Sequence, residues 1–318
     1  MRIAILGAGS IGAYIGARLA AAGEDVVLVA RGDHQRAIAA RGVEVHEAEG
    51  ARHVAVPALP PGEGFASADL VMLTAKAHDL AAMLPQIRDA MKPDAHIVAA
   101  QNGIPWWYFQ HHGGKLDGLV LESVDPGGIL ARALAPQRVV GCVIYCPITL
   151  LGPGIVEHQG PRRLELGRPD GEITPQLEAI ARAFEGAGFA TPLSKNLRRE
   201  IWVKLLANAP LNPLGAILRQ TSADIAEHPA GRKLVGEIMR ECIAVAGATG
   251  LDLEIKVEDR LAQIPGQVGR HKSSMLQDVE RGRRVEIDGL VGAVVELGDR
   301  LGVDVSALRY VYLIAQML

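Results

Sequence analysis

MRIAILGAGSIGAYIGARLAAAGEDVVLVAR, residues 1–31, decides how the chain begins to fold. RIAIL is an apolar run leading into glycines, SIGAYIGARLAAAG has helical spacing and stops at Gly23, and DVVLVAR is a second β-rich run. This strand, turn, helix and strand make a βαβ start, which accounts for the apolar N-terminus better than a signal peptide does. Gly7-Ala8-Gly9-Ser10-Ile11-Gly12 reads GxGxxG where the strand meets the helix. Gly7 permits a tight turn, Gly9 lets a diphosphate approach the main chain, and Gly12 allows helix and strand to close up. At that helix N-terminus a diphosphate meets free N–H groups and the positive end of the dipole. A glycine turn with no ligand is the competing reading. Arg31 ends the second strand where an NAD-binding unit carries an acid for the ribose hydroxyl. The position therefore favours NADPH/NADP+, with Arg31 gripping the 2′-phosphate and Arg36 a lesser helper. A solvated arginine is the alternative.

The alternation continues outward from this stretch. Val-, Ile- and Ala-rich strands with helices between them predict a mostly parallel, doubly wound sheet. GVEVHEAEGARHVAVPAL reads as short strands in a hairpin-like excursion, and AHDLAAMLPQIRDAM as a helix. RVVGCVIYCPITL and GIVEHQGPRRLELG read as later strands. The texture changes at GRPDGEI, residues 167–173, and beyond it almost every segment has helical spacing. The expected fold is α/β, with an NADP(H)-binding Rossmann-type domain over residues 1–169. An all-helical substrate and catalytic domain is expected over residues 170–318.

A chain of 318 residues suits two domains of ordinary size, and 49% hydrophobic residues supply their cores. A net charge of -3 with 4% aromatic residues argues against nucleic acid as a partner. Cys142, Cys146 and Cys242 lack paired spacing and a companion histidine pair, which suits a reducing compartment and no metal. No uninterrupted apolar run reaches the ~18 residues that span a bilayer. We expect a cytoplasmic protein with a small-molecule partner and no membrane partner. The closing ALRYVYLIAQML either completes the core or forms a homodimer contact.

Ligands of open parallel sheets bind beyond the strand C-termini. LVMLTAK puts Lys76 at one such end and IVAAQNG puts Asn102 at the next, both toward the nicotinamide half of a cleft. A solvated lysine and a plain turn are the bland readings. WVKLLANAPLNPLGAI, residues 202–217, carries Lys204, Asn208 and Asn212 at four-residue steps along an apolar helix. That polar line faces either solvent or a cleft. Pro210 and Pro213 each remove a helix donor, so a kink or break is expected near 208–212. SSMLQDVERGRRVEIDGLVG adds Ser273, Ser274, Gln277, Asp278 and Glu286. Its serines either offer groups to a carboxylate or simply cap a helix.

GAGSIG, Arg31, LTAK, QNG, WVKLLANAPLNPL and SSMLQDVERGRRVEID, in that order, resemble the ketopantoate reductases (2-dehydropantoate 2-reductases) over essentially the whole chain. The resemblance implies NADPH-dependent reduction of a 2-oxo acid, ketopantoate, to pantoate on the way to pantothenate and coenzyme A. It makes Lys204 the general acid at the C2 oxygen as hydride arrives. Asn208 and Asn212 then bind substrate polar groups and orient Lys204, and Ser274 holds the carboxylate. Glu286 accepts from the substrate hydroxyl, Asn102 sits near the reacting carbonyl, and Lys76 lines the cleft. Lys76, Asn102 and Glu286 also count among the cofactor contacts. The chain departs from the family pattern at Pro210, at Val285 and in IPWWYFQHHGGKLDG after QNG. Trp106, Trp107 and Tyr108 in that segment are expected to reshape the pocket. Two other readings stay open: a reductase of a different 2-oxo acid, and a non-catalytic NADP(H)-binding regulator.

Overall fold

The computed structural model describes residues 1–63, 67–267 and 272–318. They form two compact units. The first comprises Met1–Gln101, Trp107–Gly118 and Ile129–Leu197, and the second Asn102–Trp106, Leu119–Gly128 and Arg198–Leu318.

In the first unit the opening motif folds as β1 (Arg2–Leu6), α1 (Ser10–Ala21) and β2 (Asp25–Val29). There follow α2 (Gly32–Arg41), β3 (Val43–Glu47), β4 (Gly50–Val54), β5 (Ala58–Leu59), β6 (Ala68–Leu73), α3 (Leu84–Ala90) and β7 (Met91–Ala99). After α4 (Ile129–Ala133) come β8 (Val139–Tyr145), β9 (Ile148–Gly152), β10 (Ile155–His158), β11 (Arg163–Gly167) and α5 (Pro175–Gly186). Seven strands form one sheet in the order β11-β8-β7-β6-β1-β2-β5. All its pairs are parallel except β11 on β8. From β1 the chain steps to β2 and β5 on one side and returns to β6 on the other. The order thus reverses between β1 and β6, the place where such sheets bind ligands.

The hairpin-like excursion is real, since β3 and β4 pair antiparallel. It does not stand alone. β10 pairs parallel with β3 and antiparallel with β9, giving a second sheet in the order β4-β3-β10-β9. Glu47, at the end of β3, ties this sheet to α1. Its Oε1 accepts from Tyr14 Oη at 2.5 Å and Arg18 at 2.8 Å, while Arg52 approaches Oε2 at 2.9 Å. Burial raises the Glu47 carboxyl, but Tyr14 and the arginines outweigh it and hold the group below its ordinary range.

One boundary differs from the expectation. The stretch 77–91, expected as one helix, is a 3-10 turn at Ala77–Asp79 followed by α3. Pro85 lacks an N–H and fits only the first turn of a helix, so α3 starts at Leu84. As a compact unit, the first part of the chain extends to Leu197. Leu177, Ile180 and Phe184 of α5 join the core built by α1 and the main sheet, which keeps this helix in the first unit.

The second unit is helical: α6 (Leu197–Leu218), which starts at the last residue of the first unit, α7 (Ser222–Glu227), α8 (Pro229–Ala248), α9 (Val257–Gln267), α10 (Ser274–Glu280), α11 (Ala293–Leu301) and α12 (Ser306–Ala315). A π-helical turn, Asp288–Gly292, leads into α11. The expected break in α6 does not occur, for the helix runs unbroken through Pro210 and Pro213. Each proline withdraws one donor, at most a local loss. Leu205, Leu206, Ala209, Leu211 and Leu214 are all buried, and each large apolar side chain contributes roughly 1.5–3 kcal/mol. Among the described residues α6 alone is long and apolar enough to cross a membrane, yet 67% of its apolar window is buried inside the protein. On α12, Leu308, Val311 and Ala315 enter the core, and Tyr310, Leu313 and Ile314 stay exposed.

Candidate functional site

The glycine turn follows β1. Gly7 has φ +85°, and a Cβ there would lie 2.4–2.5 Å from Ala75 atoms, main chain included. Turns after β1 and β6 therefore pack backbone to backbone, joined by Thr74 Oγ1 donating to the Gly7 carbonyl at 3.1 Å. A Cβ on Gly12 would strike Thr74 Oγ1 at 2.4 Å, so this glycine brings α1 against the sheet. Gly9 is different, for a Cβ there would meet nothing nearer than 3.9 Å. The space over Gly9 is open at the N-cap of α1, whose first internal bond runs from the Ala13 N–H to the Gly9 carbonyl. The N–H groups of Ser10, Ile11 and Gly12 precede that bond. Tight turn, close packing and open approach fall on the three glycines as a diphosphate cradle requires.

Arg31 is the N-cap residue of α2, and its guanidinium is largely exposed. It donates to Asp79 Oδ2 at 2.8 Å. Asp79 closes the 3-10 turn that begins after Lys76, and its N–H donates to the Lys76 carbonyl at 2.9 Å. Lys76 is half-buried at the end of the β6 segment. Gln101, past β7, donates through Nε2 to the carbonyls of Leu73 at 2.9 Å and Ala75 at 3.1 Å, tying the two strand ends together. Arg36 is paired with Asp33.

The second unit assembles the other cluster. Lys204 and Asn208 are half-buried and Asn212 is buried at 8% exposure, so the polar line of α6 is no solvent stripe. Lys204 Nζ donates to Asn102 Oδ1 at 2.7 Å. Asn102 belongs to a short strap, Asn102–Trp106, which this unit takes from the first half of the chain. The strap is fixed by main chain: the Ile104 N–H donates to the Gly289 carbonyl in the π turn at 2.8 Å. Gly103 has φ +82°, and a Cβ would sit 2.1 Å from the Gly289 oxygen, so no side chain fits there. A second strap, Leu119–Gly128, is anchored by Glu296. Its carboxylate accepts from the N–H groups of Glu122 at 3.0 Å and Ser123 at 2.9 Å, and from Ser123 Oγ at 2.7 Å. Burial raises the Glu296 carboxyl, but these donors and Arg300 outweigh it and hold the group below the ordinary carboxylate range, so the anchor holds at neutral pH and loosens only as pH falls through that lowered value.

Of the expected substrate contacts, Ser274 is exposed at the start of α10, while Ser273 caps that helix by accepting from the Leu276 N–H at 3.2 Å. Glu286 is half-buried just before the π turn. Trp106, Trp107 and Tyr108, which follow QNG, are all buried. Trp107 and Tyr108 belong to the first unit, where the Trp107 ring fills the space over Gly141 of β8. Sequence reasoning missed Asp79 and Glu296, and it read QNG, with Gly103, only as a strand end or a plain turn. The glycine directly after Asn102 was the one readable signal, and the structure gives it a positive φ.

Two family models match the chain. One, described as ketopantoate reductase PanE/ApbA, covers residues 3–171, and its C-terminal counterpart covers residues 196–318. The chain belongs to the ketopantoate reductase family. It is thus an oxidoreductase. The 2-dehydropantoate 2-reductase of Mesorhizobium japonicum is 42% identical over 94% of this chain and 91% of that protein. The enzyme of that name from Pyrococcus horikoshii is 30% identical over 93% and 90%. Among solved structures, the 2-dehydropantoate 2-reductase from Geobacter metallireducens GS-15 superposes with a TM-score of 0.85 at 31% identity, covering 100% of this ketopantoate reductase family member and 99% of the other chain. A D-mandelate dehydrogenase solved with NADH, 24% identical with a TM-score of 0.85, shares the fold.

Proposed function

We propose that this protein reduces 2-dehydropantoate to (R)-pantoate with NADPH, a step toward pantothenate and coenzyme A. The observation that carries the reading is Lys204, a half-buried ammonium on a core helix, held 2.7 Å from Asn102 Oδ1. The relatives named 2-dehydropantoate 2-reductase support the choice of substrate. In the first unit, the main chain of Gly7, Ala8, Gly9, Ser10, Ile11 and Gly12 holds the diphosphate, and Arg31 the 2′-phosphate. Lys76 serves the same cofactor. When bound, NADPH supplies the hydride that C2 of the substrate gains.

The second unit supplies the proton. Lys204 donates an N–H to the C2 oxygen and releases that proton as the oxygen gains charge, leaving a hydroxyl on C2. Asn102 occupies another of the three ammonium donors and fixes its direction. Asn208 and Asn212 offer amides to the substrate, Ser274 offers a hydroxyl to its carboxylate, and Glu286 accepts from its hydroxyl. The same reading places the enzyme in the cytoplasm, in keeping with three buried cysteines that form no disulfide.

NADPH oxidation measured with 2-dehydropantoate and a set of small 2-oxo acids tests the reading. The wild type should turn over 2-dehydropantoate fastest, and Lys204→Ala should lower kcat roughly 10³-fold with the fold intact. Equal rates for the two proteins on every acid would remove the catalytic role. A faster rate on another acid would move the substrate and keep the chemistry.

A further inference from the structure

We propose that Asp79 is a cofactor-selectivity residue, which holds Arg31 and so narrows the preference for NADPH over NADH. The inference rests on the reading of Arg31 as the 2′-phosphate ligand.

Both arginines after β2 already have acid partners. Arg31 Nη2 lies 2.8 Å from Asp79 Oδ2, and Arg36 is paired with Asp33. Asp79 is not a drifting surface acid. It is less exposed than Arg31, at 29% against 75%, and its N–H is tied to the Lys76 carbonyl. Its other oxygen lies 3.9 Å from His78 Nε2. The carboxylate is thus held where the guanidinium must stay if it is to grip a phosphate.

A 2′-phosphate brings nearly two negative charges to this corner. It must share or displace Asp79 on Arg31, and it also meets the Asp79 charge directly. An NADH ribose presents a neutral hydroxyl there, which a carboxylate can accept from, as the acid of NAD-binding units does. The same side chain therefore weakens one cofactor and tolerates the other. The pair is largely solvated, so the effect is moderate: an exposed ion pair accounts for a few-fold, and through-space repulsion adds a similar factor. Together they predict about a tenfold change.

The test is equilibrium binding of NADPH and of NADH, by titration calorimetry, to the wild type, Asp79→Asn, Arg31→Ala and the double variant. Asn keeps the shape and a hydrogen-bond acceptor for Arg31 while removing the charge. Asp79→Asn should tighten NADPH about tenfold and leave NADH within about twofold of the wild type. The gain should shrink in the Arg31→Ala background, because one of its two sources is gone. NADPH binding that is unchanged or weaker in Asp79→Asn overturns the proposal. If Arg31→Ala weakens both cofactors alike, the 2′-phosphate reading fails and the proposal with it, a result distinct from failure of Asp79→Asn alone.

Discussion

The glycine turn of the first unit and the Lys204 cluster of the second build their chemistry in opposite ways. At residues 7–12 the working surface is main chain, and the sequence contributes by leaving side chains out. Gly7 is spent on touching Ala75, Gly12 on touching Thr74, and Gly9 on nothing within 3.9 Å. At Lys204 the working surface is side chain, mounted on a helix whose 22 residues stay regular through two prolines. A cradle for a diphosphate needs many donors converging on one spot, which backbone supplies cheaply. A proton donor needs one group of the right kind, aimed and half-desolvated, which only a side chain supplies.

The comparison can be broken at three places. Gly7→Ala should destabilise the fold by ~3 kcal/mol, since the methyl meets main chain at a positive φ. Urea unfolding measures this, and a variant as stable as the wild type would mean the two turns are not packed backbone on backbone. Asn102→Ala should act on rate. Losing one hydrogen bond to a charged group corresponds to ~2 kcal/mol, or about 30-fold in kcat, with a smaller change in unfolding midpoint. A larger loss in stability than in rate would make Asn102 a packing residue. Gly9→Ala should be the mildest in the fold, within ~0.5 kcal/mol of wild type, while weakening dinucleotide binding. Unaltered binding would leave the open space over Gly9 without a purpose.

Much of this was legible in the chain itself. GAGSIG is a local rule, because its three glycines act within one turn and their spacing carries the meaning. The Lys204, Asn208 and Asn212 line was legible through what burial demands of polar groups, and the structure half-buries Lys204 and Asn208 and buries Asn212. What escaped is non-local. An apolar stripe on α5 says that the helix is buried, not that Leu177 and Phe184 meet the core of the sheet domain. Val45 of β3 pairs with Val156 of β10, a partner no hairpin pattern could announce. The prolines misled because propensity is a weak prior beside the packing of Leu211 and Leu214. Asp79 lay in a stretch read as helix, and only its approach to Arg31 gives it meaning.

The π turn at Asp288–Gly292 has a consequence for how this family member can change over time. Asn102 is located by a carbonyl, that of Gly289, through the Ile104 N–H. Every residue except proline carries that donor and every residue carries that acceptor, so most side chains around the contact are free to drift. The exceptions are Gly103 and Gly289, where an added carbon would lie 2.1 Å and 3.3 Å from the facing oxygens. Two residues without side chains thus set the permissible substitutions around Asn102, whose own side chain meets Lys204.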